Sequence, residues 1–227
     1  MQWRKKGETT FQDIDMGALS HTQAAQEKLS GYSLPIASGQ KVPGDAFPLQ
    51  TIHPSYDLSQ ARPDEFLPKV GGMDFLADGR LVVSTWDEAG AVYIIDGAQT
   101  GDPSKMSTKR IGEGLAEPLG LKVVDGDIYI LQKQELTRLK DTNGDDIIDE
   151  YQTVSNDWKV SNNFHEFAFG LVYKEGYFYG TLATGIMPGG ASMNPQMPDR
   201  GKVVKISKDN GTVEFVASGL RLSLIHI

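Results

Sequence analysis

A unit that opens Gly–apolar–x–apolar, turns at an acidic residue followed by glycine, and runs on into a β-rich stretch occurs three times in this chain. It reads Gly72-Met73-Asp74-Phe75 with Asp78-Gly79 and Leu81-Val82-Val83-Ser84, then Gly120-Leu121-Lys122-Val123 with Asp125-Gly126 and Ile128-Tyr129-Ile130, then Gly170-Leu171-Val172-Tyr173 with Glu175-Gly176 and Phe178-Tyr179. The leading glycines stand 48 and 50 residues apart. A fixed period of this size means stacked units, and β-rich units of this length point to the blades of a propeller.

Alternating or solid apolar runs between Gly/Asp turns predict four strands per unit. They fall at about 70–76, 80–85, 91–95 and 107–111 in the first, and about 119–124, 127–131, 136–139 and 151–154 in the second. In the third they fall at about 169–173, 177–182, 202–206 and 213–217. The expected fold is all-β, a β-propeller fragment of three four-stranded blades over 66–221 behind an irregular N-terminal extension. A generic β-sandwich would also show regular turns, but not aligned glycines in matched strand order. Residues 1–19 read as the end of an upstream β domain, with a β-like segment at 9–16. Residues 20–65, rich in Ser, Gln, Pro and Gly, read as a linker with at most a short helix around 22–29.

Propeller rings use roughly 4–8 blades. Three blades would leave bare flanks, so the chain is expected to be a truncated reading frame. The Gly219-Leu220-Arg221 string matches the start of the Gly114-Leu115 link but runs into Leu222-Ser223-Leu224-Ile225-His226-Ile227. That tail, 222–227, resembles translated adapter read-through and is expected to be non-native.

The net charge of −8 argues against nucleic acid and anionic membrane as partners, since both need basic clusters. With no cysteine there is no disulfide framework, thiolate zinc site or haem-attachment motif. No apolar run is long enough to span a bilayer, and no signal peptide is visible in these residues.

In a four-stranded meander, the link between strands two and three shares a face with the link to the next blade. That face is expected to gather Trp86, Asp87 and Glu88, then Gln132, Lys133 and Gln134, and the long loop from Ala183 to Arg200. The inter-blade links add Glu117-Pro118, the Asn162–Glu166 run and Arg221. A polar mouth of this kind suits a small polyhydroxylated substrate. Trp86, Asp87, Gln132 and Asn163 are the candidate substrate contacts. His165 is the candidate catalytic base, since histidine exchanges protons near neutral pH, with Glu166 or Asn162-Asn163 to orient it. A histidine that merely bonds a neighbouring loop is the competing account. The other histidines, His21, His53 and His226, fall in the linker and the tail.

The acidic loop Asp141–Glu150 lies on the opposite face. Its D-x-N-x-D-x-φ-x-D spacing matches the first nine positions of a calcium loop. Asp141, Asn143, Asp145 and Asp149 would offer side-chain oxygens and Ile147 its carbonyl. Asp146 takes the usual glycine position, and Gln152 stands where a bidentate Glu would be. Because of its face, calcium here is expected to be structural; a solvated acidic hairpin is the alternative.

The run His165-Glu166-Phe167-Ala168-Phe169-Gly170, continuing to Tyr179, resembles the quinoprotein glucose/sorbosone dehydrogenases. So does Asp199-Arg200-Gly201-Lys202-Val203-Val204-Lys205-Ile206, and Gly219-Leu220-Arg221 resembles the start of their Gly-x-Arg link. The resemblance covers about 66–221 and implies a six-bladed propeller holding pyrroloquinoline quinone (PQQ) and calcium at the mouth. It implies that His165 takes the sugar hydroxyl proton while hydride passes to the quinone, with Arg221 beside the quinone's reacting oxygens. It also implies a sugar substrate, a cytochrome c electron acceptor, and a periplasmic or extracellular location. The fragment alone is expected to be inactive. Two alternatives stay open: a propeller lactonase or other metal-dependent hydrolase using Asp87, Glu88 and Asn163, and a non-catalytic carbohydrate- or protein-binding propeller.

Overall fold

In a computed structural model, the described residues are 59–221 together with the backbone of 2–3 and 12–13. The chain divides into two compact units, Met1–Leu58 and Ser59–Ile227. In the first, β1 (Gln2–Trp3) pairs antiparallel with β2 (Gln12–Asp13). The rest of the expected linker, its helix, and the tail lie outside the described residues, as do His21, His53 and His226.

The second unit is all-β, three four-stranded antiparallel meanders in sequence order. The first is β3 (Val70–Phe75), β4 (Leu81–Thr85), β5 (Val92–Asp96) and β6 (Ser107–Gly112). The second is β7 (Gly120–Val124), β8 (Asp127–Leu131), β9 (Leu136–Lys140) and β10 (Glu150–Ser155). The third is β11 (Ala168–Lys174), β12 (Tyr177–Leu182), β13 (Lys202–Ser207) and β14 (Val213–Ser218). These are propeller blades. No helix among the described residues is long and apolar enough to cross a membrane.

The apolar run in β8 shows how the blades stack. Side chains alternate along a strand, so Ile128 and Ile130 enter one core with Val82, Val92 and Ile94 of the first blade. Tyr129 and Leu131 enter another with Leu171, Phe178, Val204 and Ile206 of the third. A strand covered on both faces must be apolar at successive positions, and β8 is so from Ile128 to Leu131. Outer strands differ: β6 is exposed over Ser107–Arg110 and β14 is exposed over most of its length. The Asp125-Gly126 and Glu175-Gly176 turns both take positive φ at both central residues, the geometry that suits tight hairpins.

The repeated glycines mark where blades meet. A Cβ on Gly72 would lie 2.6 Å from the Leu121 nitrogen, and one on Gly120 would lie 2.9 Å from the Gly170 carbonyl oxygen. The first strands of neighbouring blades therefore approach to backbone contact. Gly170 N donates to Leu119 O across the same seam at 3.1 Å.

Asp74 adds a polar tie between the first two blades. Its Oδ2 accepts from Val123 N at 2.9 Å and pairs with Lys122 Nζ at 2.8 Å. Burial by itself pushes the carboxyl pKa up, but the Lys122 and backbone hydrogen bonds outweigh it and hold it below the ordinary 3.8. A lowered folded pKa means the stabilisation is complete above 3.8 and vanishes as pH falls through the folded value. Asp74→Asn is expected to cost about 1–2 kcal/mol at neutral pH. Its stability should also fall less than that of the wild type between pH 5 and pH 2. Urea midpoints across that range check this, and an unchanged acid dependence would contradict it.

Candidate functional site

The loops between second and third strands and the links between blades come together at one end of the sheets, as expected. Gly114 N and Leu115 N donate to Ala89 O and Gly90 O at 2.8 and 3.1 Å, and Lys133 N donates to Ala116 O at 3.1 Å. Thr184 N donates to Arg221 O at 3.1 Å. Each loop is thus fixed by backbone bonds to the adjoining link.

His165 stands in the link before β11, half-buried. Its Nδ1 is 2.8 Å from Thr184 O. A carbonyl oxygen only accepts, so Nδ1 carries a proton, and in the neutral ring Nε2 keeps its lone pair. The His165 backbone N donates to Asn163 Oδ1 at 2.9 Å. The ring lies against Phe167, centroids 5.5 Å apart, and Trp86 meets the far side of Phe167 edge-on, also at 5.5 Å. Phe164 flanks His165 at 6.3 Å. Trp86 therefore reaches from the first blade to an aromatic row that ends at the third blade's histidine. Arg221 joins this group through Thr184, and its guanidinium donates to Gly190 O.

Glu166 does not orient the imidazole. It is fully buried, accepting from Ser161 N at 2.7 Å and Ser161 Oγ at 2.9 Å, with Arg200 Nε 3.9 Å from its Oε2. Arg200 donates to the carbonyls of Glu166 and Phe167 at 3.0 Å each and to Lys159 O at 3.2 Å. Burial pushes the guanidinium pKa below its ordinary value, while the Glu166 charge works against that push. A buried pair of this kind holds the His165 link in one arrangement, because losing either partner strands a charge.

Three expected substrate contacts also have structural duties. Gln132 is 4% exposed. Its Oε1 accepts from Ala116 N at 2.6 Å and its Nε2 donates to Thr137 Oγ1 at 2.6 Å. Asn163 donates to Ile186 O at 2.9 Å and accepts from His165 N, so its amide braces the long loop. Asp87 caps its own turn, accepting from Thr85 Oγ1, Ala89 N and Gly90 N. Trp86 keeps open surface, 41% exposed. Sequence reading gave no role to Phe164 or Phe167, although the alternation of Phe with His165 was a visible signal, and it left Glu117 and Lys133 as rim residues.

The acidic loop lies at the opposite end. Asp141 accepts from Asn143, Gly144 and Asp146 N, Asn143 Oδ1 from Asp145 N, Asp145 Oδ1 from Ile147 N, and Asp149 Oδ2 from Thr142 N and Oγ1. The bonds from Gly144 and other backbone N–H groups hold the Asp141 carboxyl below its usual range. Among the described residues, no group of three or more acidic or histidine side chains is placed to hold a metal ion. Of the expected calcium ligands, Asp141, Asn143, Asp145 and Asp149 each accept at least one hydrogen bond from the loop's own N–H groups through a side-chain oxygen, and Ile147 would contribute only its backbone carbonyl. Asp146 takes the left-handed φ of 58° that the glycine position demands. It then pairs with Arg80 at 2.6 and 3.1 Å, docking the loop on the first blade. A cleft of about 350 Å³ under this loop is floored by Ile94, Ile111, Ile128 and Leu139. Asp78 and Asp146 at its edge both pair with Arg80, and Asp127 and Asp141 also line it.

No protein-family profile matches the chain, and no curated protein matches it. Solved structures do. The PQQ domain of pyranose dehydrogenase from Coprinopsis cinerea aligns with a TM-score of 0.53 at 14% identity, covering 68% of this chain and 40% of that one. Two structures of a Trichoderma reesei carbohydrate-active enzyme of family AA12 align with TM-scores of 0.47 and 0.48 at 14% and 13% identity. They cover 64% of this chain and 37% of theirs. The chain thus spans about 40% of the length of the solved domains it matches. The first likeness shows the fold, and the blades described here are those of a β-propeller.

Proposed function

We propose that these blades belong to a PQQ-dependent oxidoreductase propeller that oxidises a sugar CH–OH group at the mouth. The observation that carries this reading is the His165 Nδ1 bond to Thr184 O, which leaves Nε2 as a proton acceptor beside an aromatic wall. The fold shared with a PQQ domain supports it.

The residues present fit an anionic, planar quinone. Arg221 is an exposed cation at the rim, and Trp86 offers an open aromatic surface. Arg221 would stand beside the quinone's reacting oxygens, and Trp86 would line its ring. When bound, the quinone supplies the acceptor for the hydride leaving the sugar carbon. The chain's own part is at the proton: the hydroxyl O–H bond breaks, its proton goes to His165 Nε2, and the C–H pair leaves as hydride, so a carbonyl forms. Phe164 and Phe167 flank the His165 ring.

The hydrolase alternative needs Asp87, Glu88 and Asn163 to converge on a metal. The Asn163 amide is committed to the long loop, which favours the oxidoreductase. A cytochrome c acceptor and an extracytoplasmic location belong to the same proposal.

The test is dye reduction by the protein that carries these blades in a closed ring, with added PQQ, calcium and a panel of aldoses. Turnover that needs both quinone and sugar is expected. No turnover on any sugar together with no quinone binding would reject the proposal.

A further inference from the structure

Asn163, in the link from β10 to β11, has every polar position of its side-chain amide filled. Its Oδ1 accepts from His165 N at 2.9 Å and from Ile186 N at 3.3 Å. Its Nδ2 donates to Ile186 O at 2.9 Å and to Met193 Sδ at 3.0 Å. An asparagine amide has two acceptor sites and two donor hydrogens, so none is left for a ligand. The two backbone N–H groups also fix which amide atom is the oxygen.

These bonds continue a ladder that the backbone abandons. β11 and β12 pair Ala168 with Leu182, and Ala183 N donates to Phe167 O at 2.9 Å. Before Phe167 the link turns in on itself, with Phe167 N donating to His165 O at 2.8 Å. From there side chains take over in the same antiparallel order. The His165 imidazole meets Thr184 O at 2.8 Å through Nδ1, and the Asn163 amide holds both the N–H and the C=O of Ile186. Residues 165 and 163 thus face 184 and 186 as two successive rungs. Only Gly185 separates Thr184 from Ile186, so a slip at Ile186 carries the Thr184 carbonyl with it. The link side of the Asn163 rung is anchored as well, since Lys133 Nζ of the second blade donates to Asn163 O at 2.7 Å.

We propose that Asn163 is a positioning residue for His165: its amide sets the spacing of link and long loop at which Nδ1 donates to Thr184 O, and so keeps Nε2 as the basic nitrogen. This rests on the reading of His165 as the base of a sugar oxidoreductase.

The test is Asn163→Ser. A serine hydroxyl keeps the local bond to the N–H two residues on but is too short to reach Ile186, so the substitution removes the second rung and spares the turn. Gly126→Ala, in the β7–β8 turn, is the control that loses stability away from the link. Proton–nitrogen NMR of the full chain reads the His165 tautomer. Dye reduction by the ring-closed protein with D-glucose, PQQ and calcium reads kcat and KM. In Asn163→Ser the neutral ring is expected to show Nδ1–H and Nε2–H forms together, where the wild type shows Nδ1–H. Its kcat should fall about 10–10²-fold, the cost of a misplaced group, with KM within about twofold of the wild type. Gly126→Ala should match the wild type in both readouts. An unchanged tautomer or an unchanged kcat in Asn163→Ser would overturn the inference. So would a raised KM at full kcat, which marks a substrate contact, or an equal loss of kcat in Gly126→Ala, which reduces the effect to stability. The NMR arm needs neither quinone nor sugar. A tautomer lost in Asn163→Ser with no turnover in any form therefore supports the positioning role and sinks the dehydrogenase reading alone.

Discussion

His165→Gln is expected to lower kcat/KM for sugar oxidation by about 10²–10⁴-fold, the usual contribution of a positioned acid–base group. Glutamine can still donate its amide N–H toward Thr184 O, so the local hydrogen bond to the long loop has a substitute. It carries no basic nitrogen, so the hydroxyl proton has no acceptor at that position. Thermal melting should change little, because His165 is half-buried and the link is held mainly by Asn163, Glu166 and Arg200. The measurement is steady-state dye reduction beside a melting curve. Loss of turnover with an unshifted midpoint supports the assignment. Full activity in the variant would remove His165 from the chemistry.

Gly72→Ala is expected to cost about 3 kcal/mol or more. The new Cβ would meet Leu121 N at 2.6 Å and Leu121 Cβ at 2.8 Å. Leu121 N belongs to the backbone of β7, which is paired to β8, so it cannot turn aside as a flexible side-chain tip would. Relief requires the first two blades to separate, which opens the core holding Val82, Ile94, Ile128 and Ile130. Gly126→Ala is the comparison. Nothing lies within 4 Å of a Cβ there, and only the φ of 86° is unfavourable. That variant should lose about 1 kcal/mol. Equal losses in the two variants, measured by urea unfolding, would mean that blade contact is not what the repeated glycines serve.

The architecture was legible because it is written in two periods at once. The alternation within β8 and the recurrence of Gly72, Gly120 and Gly170 both survive in sequence as residue types. Strand order and turns followed from them, and each observed strand lies within about two residues of its expected span. The site was less legible, for a different reason. Gln132, Asn163 and Asp87 are polar residues on the correct rim, but a sequence does not show which amide or carboxylate is consumed by neighbouring backbone. The acidic loop shows the same effect. Its spacing suits a cation, while the hydrogen bonds it makes to its own N–H groups and the Asp146 pair with Arg80 appear only in the fold. The His165 tautomer likewise depends on Thr184, a residue nineteen positions away.

That tautomer is the point on which the oxidoreductase reading turns, and long-range proton–nitrogen correlation NMR of the labelled chain reads it directly. The expected spectrum of the neutral ring shows His165 with a protonated Nδ1 and a lone-pair Nε2. A ring protonated at Nε2 with Nδ1 bare would contradict the Thr184 bond and leave the mouth without its base.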